Sequence, residues 1–239
     1  MIVSSSMSVS MRHYFSTNHL RAATFFAKRS YELEAGYTSG HPVADCVRSE
    51  HRSCVVSAVV MSAAFMEATI NELFSDVADG VSRARYENMP GCERLAESWR
   101  AGIPRRAGYS ILEKFDVALL LSDKHRFSKG DHAYQNAADV IRLQNALVHY
   151  EPESIEGEEK ENRKVHDFEK KLTRRFTPCI FFEGSGNPFY PDHVLGAGCA
   201  VWAVKSSVSL VENFFNQLGI QVPYGSFRDS LGISELNKY

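Results

Sequence analysis

The stretch CVVSAVVMSAAFM, residues 54–66, decides the fold of this chain. Its 13 residues include no charged side chain, and the run ends at Glu67. A helix that is apolar around most of its circumference belongs at the centre of a bundle. A membrane span needs about 20 apolar residues, so we expect a buried core helix over residues 44–78 and no membrane association.

Apolar residues at helical spacing predict further helices on both sides of this central one. These helices cover residues 14–34, 92–100, 110–124, 131–150 and 195–218, and a charged helix ends near residue 176. We expect Gly80 to end the central helix and Asp131 to cap the start of the helix 131–150. The apolar residues 177–182 favour a short strand, and the glycines and prolines of 183–191 favour a loop.

The chain shows neither an internal repeat nor a regular alternation of strands with helices. The predicted fold class is therefore all-α, a single-domain helical bundle with a long central helix and a short irregular insertion near residues 177–193. We expect residues 1–12 to form a flexible arm, 13–220 the bundle and 221–239 a polar tail.

Composition places the chain among ordinary globular proteins. Of its 239 residues, 44% are hydrophobic and 23% are charged, which excludes collagen-like, disordered and disulfide-stapled classes. The formal net charge of −2 argues against a strongly basic nucleic-acid coat protein but allows a locally basic groove. Five cysteines without a CxxC pair, and no apolar leader segment, predict a cytoplasmic protein with reduced thiols.

Familiar catalytic motifs are missing from the sequence. It contains no Walker-type glycine loop, no HExxH and no GxSxG, and its nine histidines lack the spacing of metal ligands. We therefore expect neither a metal site nor a cofactor.

The helix 131–150 carries the most informative polar pattern. On a helical wheel, Arg142, Asn145 and His149 lie within about 60° of one another. The same face holds Gln135, Ala138, Asp139 and Ala146, whereas Val140, Leu143 and Leu147 point the opposite way, with Ile141 and Val148 flanking the buried side. Small alanines beside functional side chains leave room for a ligand or a partner helix.

A purely structural interpretation of this face stays open. His149 in the last turn would be favoured by the helix dipole. Arg142 would pair with Asp139 one turn earlier or simply be exposed.

The functional interpretation is cleavage of RNA without a metal ion. Histidine can accept or donate a proton near neutral pH, and the guanidinium fork of arginine matches phosphate oxygens. Arg142 and His149 are about 10 Å apart along the axis at 1.5 Å per residue. The two side chains of one helix cannot both reach the same phosphate. We therefore expect a homodimer in which two such helices face each other across a two-fold axis.

Glu67 and Asn71 interrupt the apolar central helix. An unpaired buried carboxylate is costly, so we expect Glu67 to have a partner. Either it positions Arg142 or His149, or it forms a core ion pair or a helix-end contact.

Arg142 and the following run NALVHY, residues 145–150, resemble the R-x(4–6)-H signature of the HEPN superfamily. The stretch SAAFMEATIN, residues 62–71, is similar to the acidic central helix of many such proteins. The resemblance covers residues 15–150 and implies a helical bundle. Many members are metal-independent ribonucleases of prokaryotic defence and toxin–antitoxin systems.

The resemblance implies an endoribonuclease that acts as a homodimer and leaves 2′,3′-cyclic phosphate ends on its RNA substrate. It also implies an antitoxin or defence protein as a partner. The implied catalytic residues are Arg142, Asn145 and His149, and the implied supporting residues are Glu67, Asn71, Asp139 and Tyr150.

Two departures from the family pattern keep a second function open. Six residues separate Arg142 from His149, the long limit of the signature, and the apolar Leu143 follows the arginine. The alternative is a catalytically inactive helical module that binds RNA, a nucleotide or a protein. A metal enzyme has the least support.

Overall fold

The structure is a computed structural model, which describes residues 11–37, 41–81, 83–105, 108–151 and 167–238. No strand occurs within these ranges, so the predicted all-α fold class is confirmed. Eight α-helices are described, and their bounds are α1 (Ser16–Ala35), α2 (Asp45–Asp79), α3 (Arg83–Tyr86), α4 (Cys92–Arg100), α5 (Ile111–Leu121), α6 (His132–Val148), α7 (Asp167–Leu172) and α8 (Ala197–Leu218).

Helix α2 is the centre of the bundle, as its apolar run predicts. It packs against α1, α4, α5, α6 and α8. Phe65, Met66, Ile70 and Phe74 are fully buried on it. By length and composition α2 could cross a membrane, but more than half of its most apolar window is buried inside the protein, as in the core helix of a soluble protein.

Local sequence signals account for the end of α2 and the start of α5, but not for the start of α6. Gly80 ends α2 in the left-handed conformation, at a φ of 66°, as predicted. Ser110 and Glu113 form a reciprocal capping box at the start of α5. Asp131 occupies the N-cap position of α6, but its side chain forms no capping hydrogen bond, so the predicted side-chain cap is absent.

The predicted strand over residues 177–182 is wrong. The segment is irregular and ends in a 3₁₀ turn, Ile180–Phe182, because no described strand lies beside it to pair with. Its backbone is held instead by the Cys179 N–H, which donates to the carbonyl of His193 at 2.8 Å.

Two glycines let this segment lie directly on the start of α8. A Cβ atom added at Gly196 would be 2.7 Å from the Cα of Cys179. One added at Gly198 would be 2.5 Å from the carbonyl oxygen of Thr177. Both separations are well inside van der Waals contact, so a side chain at either position would displace the segment.

The C-terminal end of the chain differs from the expected tail, whereas the expected arm over residues 1–12 is described only at residues 11 and 12. Residues 1–10 lie outside the described residues, and Arg12 forms ion pairs with Asp76 at 3.0 Å and Asp79 at 2.7 Å. Residues 221–238 pack on the bundle and bury Tyr224 and Leu236. The expected polar tail thus packs on the bundle through a few buried side chains, while many of its other residues are exposed.

Candidate active site on helix α6

Helix α6 displays two different faces because its apolar residues recur at helical spacing. Ala137, Val140 and Leu143 are fully buried. This side of the helix packs against α2 and α8. The polar residues of the last two turns are left on the outside.

Arg142, Asn145 and His149 all lie on the exposed side of α6. His149 is the C-cap residue, and its backbone N–H donates to the carbonyl of Asn145 at 2.9 Å. Within the described residues, the side chains of Asn145 and His149 form no hydrogen bond or ion pair. The predicted residues thus share one accessible surface, and the amide and the imidazole are free to bind a ligand.

Arg142 is held in place by Asp139. Its Nη1 lies 2.8 Å from Oδ1 of that carboxylate, so the predicted pairing is confirmed. Nη2 of Arg175 lies 3.7 Å from the other carboxylate oxygen, and Nη1 of Arg175 donates to Asn136 at 2.6 Å. The carboxylate therefore fixes one edge of the Arg142 guanidinium and ties it to the segment that follows α7.

The burial of two residues on α6 differs from the helical-wheel prediction. Asp139, expected on the open polar face, is buried at 8% exposure because it packs between its two arginine partners. Val148, expected on the flank of the buried side, is 52% exposed, and Tyr150 is 50% exposed. Both apolar side chains lie at the end of the helix, whose last turn is open to solvent.

Glu67 and Asn71 do not belong to this site. Nζ of Lys114 lies 2.7 Å from the Glu67 carboxylate and 3.2 Å from Oδ1 of Asn71. Glu67 is exposed and the lysine is buried, so the cation is the buried member of the pair. The expected ion pair is present, but the expected burial of the Glu67 carboxylate is wrong, since its side chain is 48% exposed; neither Arg142 nor His149 contacts it.

No family model, curated protein or solved structure matches this chain. A function for it must therefore be argued from its own residues and their geometry.

A second group of polar side chains, which no sequence motif indicates, lies where α1, α2 and the segment before α8 meet. Nε2 of His51 lies 2.8 Å from Oε1 of Glu34, and the Ala197 N–H donates to the same oxygen at 2.8 Å. The candidate ligand atoms of Glu34, His51 and Cys179 all lie within 4.8 Å of one another. These residues are far apart in the sequence, so no linear motif points to them.

Proposed function

We propose that this protein is an endoribonuclease of the HEPN type that cleaves RNA without a metal ion at the end of α6. The observation that carries the proposal is the shared exposure of Arg142, Asn145 and His149 on one helix. Two of these side chains form no bond to the described residues, and the third is oriented by a buried carboxylate.

The proposed reaction is attack of a ribose 2′-hydroxyl on the adjacent phosphorus. The 2′-oxygen loses its proton to a base, and the 5′-oxygen leaves with a proton from an acid, which gives a 2′,3′-cyclic phosphate and a 5′-hydroxyl. His149 suits either proton transfer. Arg142 stabilises the charge of the phosphorane, and Asn145 orients the phosphate.

A homodimer completes this mechanism. The axial separation of about 10 Å between Arg142 and His149 keeps one helix from supplying both groups to one phosphate. Two helices related by a two-fold axis would place the arginine of one protomer near the histidine of the other and provide two imidazoles. Val148 and Tyr150, both about half exposed, offer apolar contact area beside the polar residues.

A basic segment beside α6 supports RNA as the substrate. Arg175 anchors residues 167–176 to α6 through Asn136 and Asp139. The segment also presents the exposed cations Lys170, Lys171 and Arg174. Contacts from such cations to phosphates release counterions, so RNA binding should weaken as salt rises. The proposed setting is the prokaryotic cytoplasm, with an antitoxin or defence protein as the regulating partner.

The decisive experiment incubates the purified protein with a mixed RNA pool in EDTA, alongside His149→Ala and Arg142→Ala. We expect each variant to lose at least about 100-fold in cleavage rate, the lower range for removing a proton-transfer group. His132→Ala is the matched control, since this histidine is also exposed on α6 but lies in its first turn. Cleavage that survives His149→Ala would contradict the proposal.

The second candidate is a catalytically inactive binding module. The ion pair between Arg142 and Asp139 favours it, because that contact already neutralises part of the charge that a phosphorane would need. Equal RNA binding by wild-type protein and both variants, with no cleavage by any of them, would support this function instead.

A further inference from the structure

Three potential metal ligands converge where α1, α2 and the segment before α8 meet. Glu34 lies in the last turn of α1, His51 in the second turn of α2, and Cys179 just before the 3₁₀ turn Ile180–Phe182. Their carboxylate, imidazole and thiol atoms lie within 4.8 Å of one another. The group includes none of the α6 residues of the proposed active site.

Two of the three side chains are buried, and the third is partly buried. His51 is 2% exposed and Cys179 is 1% exposed. The hydrogen bonds to Glu34 come from His51 and from the Ala197 N–H, neither of which carries a fixed positive charge. The nearby Arg52 is engaged by Asp192. The Glu34 side chain is 15% exposed, and a bound cation would stabilise a partly buried carboxylate with such partners.

Burial and the Glu34 carboxylate raise the pKa of the Cys179 thiol to about 12. Nucleophilic cysteines instead have a lowered pKa. A divalent cation would displace the thiol proton, and its two charges would then be balanced by the thiolate and the carboxylate.

The separations suit a tetrahedral ion. With zinc bonds of about 2.0–2.3 Å, neighbouring ligand atoms lie roughly 3.3–3.8 Å apart. In the structure the His51 and Glu34 atoms lie 2.8 Å apart, closer than this value, and all three ligand atoms lie within 4.8 Å of one another. A bound ion would therefore move His51 and Glu34 slightly apart, while the close contacts at Gly196 and Gly198 hold the backbone that carries Cys179.

A cavity of about 520 Å³ adjoins the group and is lined by Glu34 and Cys179 as well as by Glu183 and His193. We infer that Glu34, His51 and Cys179 bind one Zn²⁺ ion whose fourth coordination position faces this cavity. Three protein ligands with an open fourth position leave room for water or a ligand atom. The bound ion would join α1, α2 and the segment before α8, and this site goes beyond the proposed ribonuclease.

The test titrates metal-free, full-length protein with Zn²⁺ against a chromophoric chelator. We expect one equivalent to bind tightly. Cys179→Ser and His51→Ala should weaken that binding by more than about 100-fold, because even outer-shell changes weaken metal sites by about 10- to 100-fold. Cys54→Ser is the matched control, since Cys54 is also buried and lies one turn from His51 on α2.

The absorption of Co²⁺ bound to the wild-type protein gives a second test, which does not depend on whether a variant folds. Co²⁺ bound to the wild-type protein should show thiolate-to-metal charge-transfer absorption that Zn²⁺ displaces. Cys46→Ser, which changes an exposed cysteine, should keep this absorption. The inference is overturned if the wild-type protein lacks the absorption, binds less than one equivalent of Zn²⁺, or loses no affinity in folded Cys179→Ser.

Discussion

Asp139 is a buried carboxylate that lies between two guanidinium groups. Its Oδ1 lies 2.8 Å from Nη1 of Arg142, and its Oδ2 lies 3.7 Å from Nη2 of Arg175. Its position makes it the residue that orients Arg142 toward solvent, while Asn145 and His149 depend only on the helix backbone. Among the residues that would not contact RNA, Asp139 is therefore the one whose substitution should disturb the proposed site most.

Asp139→Asn should destabilise the protein by about 1–3 kcal/mol, because hydrogen bonds between charged groups are lost at a buried position. It should also lower the cleavage rate by releasing Arg142. Urea denaturation measures the first effect. Asp167→Asn is the control, since that carboxylate is 80% exposed, and surface changes of this kind usually stay within about 0.5 kcal/mol. Equal stability of the two variants would contradict this role of Asp139.

At the scale of elements, the starts of α5 and α6 differ although both have a capping residue. Ser110 accepts a hydrogen bond from the Glu113 N–H, and the Glu113 carboxylate accepts from the Ser110 N–H. Asp131 stands at the equivalent position of α6 without a capping bond from its side chain.

Ser110→Ala should therefore cost about 1 kcal/mol of stability, the usual loss for removing a cap. Asp131→Ala should change stability much less, because it removes no capping hydrogen bond. Thermal or urea unfolding of the two variants checks the difference. A larger loss at Asp131 would show that α6 is capped by its aspartate after all.

The segment before α8 depends on close backbone contact. Gly198→Ala should destabilise it by about 1–3 kcal/mol, the usual range for overpacking. The added methyl group would meet the carbonyl oxygen of Thr177 at 2.5 Å. Gly36→Ala is the control, since its nearest neighbour would be at 3.7 Å. Melting curves that coincide for the two variants would contradict the contact.

The sequence could predict the features that depend on neighbouring residues. It could not predict those that depend on contacts between segments far apart in the chain. Helix α2 and the exposed Arg142, Asn145 and His149 follow from local periodicity. The burial of Asp139 depends on Arg175 from another segment, and the partner of Glu67 on Lys114 of α5. The same limit explains the false strand at 177–182, where Phe181 packs against Tyr37 and His51 and no described strand lies beside the segment.

For the whole molecule, the proposed function requires two copies. We expect a dimer at micromolar concentration by light scattering. Val148→Glu combined with Tyr150→Glu should shift it to a folded monomer and remove cleavage, because two charges would replace exposed apolar contact area. A wild-type monomer that cleaves RNA at full rate would contradict the shared site.

Stability of the whole molecule should fall in alkaline solution. Burial raises the pKa values of Tyr86 and Tyr224 above their usual range. In the unfolded chain both phenols would ionise near their ordinary pKa of about 10. The stabilisation is complete below that pKa and is lost as pH rises toward the folded values. Urea unfolding at about pH 8 and about pH 10.5 measures the loss, and equal midpoints would contradict it.

The glycines at 196 and 198 have a consequence for how this fold can diverge. Each of them leaves space that the main chain of residues 177–179 fills. A related chain with a larger residue at either position would have to route the preceding segment elsewhere and would carry its cysteine away from Glu34 and His51. Related chains that keep the cluster of Glu34, His51 and Cys179 should therefore also keep glycine at positions 196 and 198, and chains that have lost the glycines should have lost the cluster.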